Sequence, residues 1–325
     1  MNSEHDIRCK SILLLIIFSC SCAFAQLDGT PGAFSRMGSG ARGMGMGNAM
    51  TAVVDGPLSN YYNPAVTPFL SERTASASFG MLSLDRSLNA LSFALPLQPT
   101  AGFAISILNS GVGKIDGRDN DGFKTETYST SENQFDFSFA NKMSDKLALG
   151  LAFKIYYYHL FENISSTSLG IDIGALLHCT SELTLGIAVK DLGARYSWDS
   201  SPLYGDYGSS LKETFPMLRK IGLAYALGDS VGVVSAEVEN NNTGTSIFRA
   251  GVEVNIIAQF SLRAGIDNFN LSHRAGSSFG KETTPAFGFS LREQIDGWHP
   301  ALDYAYVIEP YGVTSFHMIT LSAGF

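Results

Sequence analysis

The segment KLALGLAFKIYYY sets Leu147, Leu149, Leu151, Phe153, Ile155 and Tyr157 on one parity and Ala148, Gly150, Ala152, Lys154, Tyr156 and Tyr158 on the other. STSLGIDIGALLH repeats the rule, with Leu169, Ile171, Ile173, Ala175 and Leu177 against Gly170, Asp172, Gly174 and His178. ELTLGIAVK, RKIGLAYALG and QFSLRAGID follow it as well. A sustained period of two predicts strands with one strongly apolar face and one small or polar face.

Two architectures bury such a face. A soluble sandwich packs its apolar faces together and shows water a charged exterior. A membrane barrel turns the apolar face to lipid and the small, polar face to a lumen. Here the second face is mostly Gly, Ala, Ser and Thr, and charged residues make up only 16% of the chain. The pattern predicts an all-β, transmembrane antiparallel barrel.

The same rule places strands near Thr74–Met81, Leu88–Leu95, Ala101–Asn109, Gln134–Asn141, Lys146–Tyr158, Ser168–His178 and Leu183–Lys190. Further strands follow near Arg219–Leu227, Gly232–Glu239, Ile247–Ile256, Phe260–Asp267, Ala286–Arg292, Ala301–Ile308 and Ser315–Phe325. The total is fourteen, the even number expected when both ends of a single-chain barrel lie in the periplasm. Short connections at Pro96, Asn141, Cys179, Gly228 and Ile257 alternate with longer ones at Gly111–Asn133, His159–Thr167, Asp191–Leu218, Asn240–Ser246 and Asn268–Pro285. Short periplasmic turns and longer outer loops are the asymmetry of an outer-membrane barrel. Phe325 ends the chain on the same face as Leu321 and Ile319, and Tyr156, Tyr157, Tyr158, Phe161, Tyr304 and Tyr306 suit interfacial aromatic girdles.

The beginning of the chain reads differently. In MNSEHDIRCKSILLLIIFSCSCAFA, Arg8 and Lys10 lead into an apolar run from Ile12 to Phe18, and Ala23-Phe24-Ala25 supplies small residues at a cleavage site. Residues 1–25 are expected to be a secretory signal peptide. Phe18 before Cys20 and Ser19 before Cys22 fit a lipoprotein signal poorly. Cleavage would remove Cys9, Cys20 and Cys22 and leave Cys179, so no internal disulfide is expected. The net charge of −8 offers no basic stripe and argues against nucleic acid as a partner.

Between the leader and the first strand lies GARGMGMGNAMTAVVDGPLSNYYNPA, Gly40 to Ala65, too glycine-rich for an ordinary helix and too interrupted for a strand. Irregular backbone cannot face lipid, because its hydrogen-bonding groups would go unpaired. Residues 26–70 are therefore expected to form a plug inside the lumen, and residues 71–325 the barrel. Arg42, Gly43, Gly45, Gly47, Asp55, Asn63 and Pro64 are its candidate site residues: the glycines permit close approach to the wall, and Asn63-Pro64 sets a turn.

That stretch resembles the N-terminal signature of the PorV/PorQ family, a branch of the FadL-like outer-membrane barrels. The family carries a Met-Gly-rich run, a short apolar segment, an acidic residue and Asn-Pro-Ala, matched here by Met44 to Gly47, Ala49 to Val54, Asp55 and Asn63-Pro64-Ala65. The likeness continues from Gly111 to Leu177 and through DYAYVIEPYGVTSFHMITLSAGF, where Asp303, Tyr304 and His317 stand. Tyr61-Tyr62 in place of a tyrosine-tryptophan pair, and Glu309-Pro310 in the last loop, depart from the pattern. The resemblance implies an accessory role in type IX protein secretion, handling cargo with C-terminal signal domains. The wider group implies the alternative, transport of hydrophobic small molecules across the outer membrane.

The connection Asp191–Leu218 is the longest and carries Tyr196, Trp198, Tyr204, Tyr207 and Phe215, a candidate partner-binding loop on a rigid scaffold. Other motifs carry less. GMGMGNA lacks the preceding strand of a dinucleotide fingerprint, and DGRDNDG lacks the spacing of a twelve-residue calcium loop. His159, His178, His273, His299 and His317 have no zinc-ligand spacing, and His178 near Ser181 lacks a third partner. No catalytic residue, metal or cofactor is expected.

Overall fold

The computed structural model describes residues 29–54, 56–228, 230–272, 282–310 and 315–325. The signal-peptide expectation, Asp55 and His273 lie outside them. Sixteen strands run through the described residues. The first seven are β1 (Thr74–Met81), β2 (Arg86–Leu97), β3 (Ala101–Arg118), β4 (Lys124–Lys142), β5 (Leu147–Phe161), β6 (Ile164–His178) and β7 (Leu183–Leu192). Then come β8 (Arg195–Asp199), β9 (Ser210–Thr214), β10 (Leu218–Ala226), β11 (Gly232–Asn241) and β12 (Ser246–Ile257). The last four are β13 (Phe260–Asn270), β14 (Thr284–Arg292), β15 (His299–Val307) and β16 (Phe316–Gly324).

Fourteen of these close into one antiparallel barrel in which each strand pairs with its neighbours in the chain, β7 meets β10, and β1 meets β16. Closure runs in register from Thr74 opposite Gly324 to Met81 opposite His317. Arg73 and Phe325 exchange backbone hydrogen bonds just beyond it. No sheet edge is left in the wall, which is what an apolar surrounding requires.

Parity assigns the faces. Along β5, Ala148, Gly150, Ala152, Lys154 and Tyr156 are buried inside, while Leu149, Leu151, Phe153 and Ile155 are exposed outside. Phe79, Leu91, Phe139, Ile173, Leu223 and Phe287 extend this apolar exterior around the barrel. So continuous a band of exposed large apolar side chains suits lipid and not water. No described helix is long and apolar enough to cross a membrane.

The connections at the rim carrying the chain ends are short: 98–100, 143–146, 179–182, 227–231, 258–259 and 293–298. At the opposite rim, three of the expected loops are replaced by prolonged strands. β3 and β4 run on to a turn at 119–123, β5 and β6 meet at 162–163, and β11 and β12 at 242–245. Polar residues occupy both parities in 112–132, so the period of two fades there although the backbone keeps its ladder. Between β7 and β10 lies no open loop but a second, two-stranded sheet, β8 with β9.

Candidate functional site

Most of residues 34–54 and 56–70 is buried against inward-facing side chains of the barrel. A five-residue helix, α1 (Ala41–Gly45), packs on β13 to β16, and a 3-10 turn, Pro64–Phe69, packs on β2 to β6. A second short helix, α2 (Ser59–Tyr62), lies between them in the chain. None of these is long enough to be stable alone, so the wall holds them in place.

Close approach is possible because glycines face each other across the gap. Gly47 has φ +60°, and a Cβ there would sit 2.5 Å from the backbone nitrogen of Ile266. On the wall, Gly265 lies against Gly47, Gly174 against Asn63, and Gly186 against Thr51. Gly43 packs on the Tyr62 ring. Gly45 is less confined: a Cβ would rest 3.6 Å from Arg263 and Gly288.

Asn63 is buried and fully used. Its Nδ2 donates to Thr51 O at 2.9 Å and to Ala175 O at 3.1 Å, and its Oδ1 accepts from Ala65 N at 3.0 Å. Pro64 opens the 3-10 turn, where a missing N–H costs nothing. One side chain thus ties a turn within the segment to a carbonyl of the wall.

Arg42 makes the strongest link. It forms a two-point ion pair with Glu253 on β12, and Glu253 also accepts from Arg263, which reaches Asp303 at 2.8 Å. Asn48 donates to Asp267 at 2.7 Å, and Thr51 N–H to Glu237 at 3.1 Å. Lys190 donates to Tyr61 O at 2.9 Å. Behind these, Arg249 bridges Glu237, Glu239 and Asp267, Lys220 pairs with Glu237 and Glu239, and Lys154 with Asp172 and Asp191.

The expectation of an interior face with few charges is therefore corrected. The inward face carries a belt of buried charges, concentrated on β5 to β7 and β10 to β15. Burying an unpaired charge costs several kcal/mol, and most of these groups stand in mutual pairs, while Lys190 donates to a carbonyl and the buried Asp136 of β4 keeps one carboxylate oxygen unbonded. The signal was present in the parity: Lys154 and Asp172 each stand alone among small residues in the inward register.

The aromatic residues between β7 and β10 divide. Tyr196 and Phe215 are buried and Trp198 is half-buried, while Tyr204 and Tyr207 are exposed. Phe215 packs 4.8 Å from both Tyr156 and Tyr196, centroid to centroid, and against Gly32; Trp198 lies 5.2 Å from Tyr158. These rings cover the internal segment on the β5 side of that rim. Burial, then Glu132 at 3.4 Å, hold the Tyr196 phenol well above its ordinary pKa, so it remains neutral.

Two cavities flank α1. One, of about 620 Å³, opens at the rim of the chain ends and is lined by Arg42, Val53, Phe69, Leu70, Ala224 and Arg292 among others. The second, of about 500 Å³, opens at the opposite rim and is lined by Met37, Met44, Leu84, Val307 and Phe316, with Asp267 and Arg36. Arg42 faces the first and Met44 the second, so a single helical turn stands between them. Among the described residues no group of three or more His, Cys, Asp or Glu converges as a metal site.

No protein-family model and no curated protein sequence matches the chain. Solved structures do. The toluene transporter TodX of Pseudomonas putida aligns with a TM-score of 0.61 at 14% identity, over 88% of this chain and 97% of that one. The toluene transporter TbuX of Ralstonia pickettii gives 0.61 at 13%, over 88% and 97%. A Pseudomonas aeruginosa FadL homologue gives 0.58 at 13%, over 88% and 98%. At such identities the shared property is the fold, a closed fourteen-stranded antiparallel barrel.

Proposed function

We propose that this barrel passes hydrophobic small molecules across the outer membrane, with residues 29–70 as its internal gate. The observation that carries this reading is the pair of cavities on either side of α1. The one at the mouth is apolar where it meets Met37, Met44, Val307 and Phe316, and methionine side chains adapt readily to varied apolar shapes. The other receives what has passed, between Val53, Phe69 and Leu70 on the segment and Ala224 on the wall. Displacing one short helix would join them. Two neighbours by fold, named as toluene transporters, support the same class of cargo.

The family resemblance implies protein secretion first, and the paired cavities favour solute passage instead. Two of the aromatic residues that favoured recognition of a protein partner, Tyr196 and Phe215, are buried against β5 and the internal segment. Exposed Tyr204 and Tyr207 keep secretion as the second reading.

Deletion of the gene, read two ways, separates them. Reduced uptake of radiolabelled toluene or long-chain fatty acid, with surface display of secreted proteins intact, is the expected result. Intact uptake with lost display would replace the first reading by the second.

A further inference from the structure

The ribbon of β8 and β9 has one engaged edge and one open edge. Arg195 N–H donates to Ser168 Oγ at 2.7 Å, and Ser197 N–H to Ser166 Oγ at 2.8 Å, so both point away from β9 toward β6. In an antiparallel pair, bonded and non-bonded residues alternate. The bonded pairs are therefore Tyr196 with Glu213 and Trp198 with Leu211. Phe215 N–H to Ala194 O and Ser200 N–H to Ser209 O, at the two ends of the ribbon, fall in the same parity. It follows that the backbone groups of Ser210, Lys212 and Thr214 face the side of β9 opposite β8. All three residues are exposed.

We infer that this open edge of β9 docks an extended segment of a partner protein, which adds as a third, antiparallel strand with an acidic residue opposite Lys212. Strand addition supplies affinity through main-chain hydrogen bonds and selectivity through the side chains beside them. Charge sets the partner. On the outer face Arg195 and Asp199 of β8 offset each other, while Lys212 is the one charge among Ser210, Lys212 and Thr214 at the open edge, and directly opposed charges of opposite sign stabilise a strand pair. A second copy of the chain is disfavoured, because antiparallel self-pairing about the centre of β9 sets Lys212 against Lys212. The inference goes beyond solute passage and does not depend on it.

The test uses the purified full chain in detergent micelles and two fluorescent synthetic peptides, TVTETVT and TVTKTVT, with binding read by anisotropy. The acidic peptide is expected to bind roughly fivefold more tightly than the basic one, and Lys212→Glu to reverse the order. Lys212→Pro removes an N–H on the open edge only, so the ribbon persists while binding of both peptides is lost. Unheated gel migration verifies that each variant is folded. Absence of binding by either peptide up to about 1 mM would overturn the inference, and so would binding that survives Lys212→Pro.

Discussion

Arg42 and Glu253 are joined by two parallel hydrogen bonds, Nε to Oε2 at 2.8 Å and Nη2 to Oε1 at 3.0 Å, across 211 residues of chain. Both side chains are almost wholly buried. The pair fastens the irregular segment to β12 at the lining of the cavity that opens at the rim of the chain ends. Removing Arg42 leaves Glu253 with Arg263 and with Arg292 at 3.5 Å, whereas removing Glu253 takes an acceptor from Arg42 and Arg263 together. Arg42→Ala is expected to cost about 3–5 kcal/mol, the usual loss when a buried pair is broken, and Glu253→Ala more. The temperature at which the compact gel band converts to the unfolded one reads both. Equal, wild-type-like values for the two variants would refute the fastening role.

Confinement at the glycines differs by position and predicts an order of effects. Gly47→Ala combines a left-handed backbone with a clash against Ile266, while Gly45→Ala meets only ordinary contacts. Planar-bilayer recordings should find raised conductance for Gly47→Ala, because the segment can no longer seat, and little change for Gly45→Ala. Identical traces from the two would mean that close approach at Gly47 does not hold the segment.

Asn63 offers a charge-based test without a change of shape. In Asn63→Asp a carboxylate oxygen replaces the amide nitrogen and faces the carbonyls of Thr51 and Ala175. Loss of two buried hydrogen bonds and the new repulsion should destabilise by about 2 kcal/mol or more. Pro64→Ala, which removes no donor, should cost less. Urea midpoints for the two variants check the ranking.

Sidedness can be read from cysteine labelling on intact cells. Cys179 lies exposed in a short turn at the rim of the chain ends, so it serves as an internal control expected to resist an impermeant reagent. With Cys179→Ser as background, Asp119→Cys and Asp199→Cys at the opposite rim should label, and Asp145→Cys should not. Labelling of Asp145→Cys alone would invert the proposed orientation.

How far the chain could be read depends on what each residue's neighbours contribute. Leu147 to Tyr158 sits between lipid and lumen, so its alternation records both surroundings and the strand is legible directly. The prolonged hairpin at 112–130 is exposed on both faces, and nothing in its side chains alternates. Tyr196 and Phe215 were legible as aromatic residues in a long connection, but not as buried ones. Their partners, Tyr156, Tyr158 and Gly32, lie on other elements, and only the fold of the ribbon brings them together.

The sequence by itself determined the barrel, its strand number and which parity faces outward, because a strand buried against lipid must alternate and each strand reports this locally. It also marked the segment around Gly47 and Asn63 as unable to face lipid. Only the tertiary structure decided what that segment touches. The pairing of Arg42 with Glu253, of Asn48 with Asp267 and of Lys190 with the Tyr61 carbonyl joins groups far apart in the chain. Such contacts depend on the barrel's closed circumference, which sets where each inward charge stands, and no local pattern of residues encodes that distance.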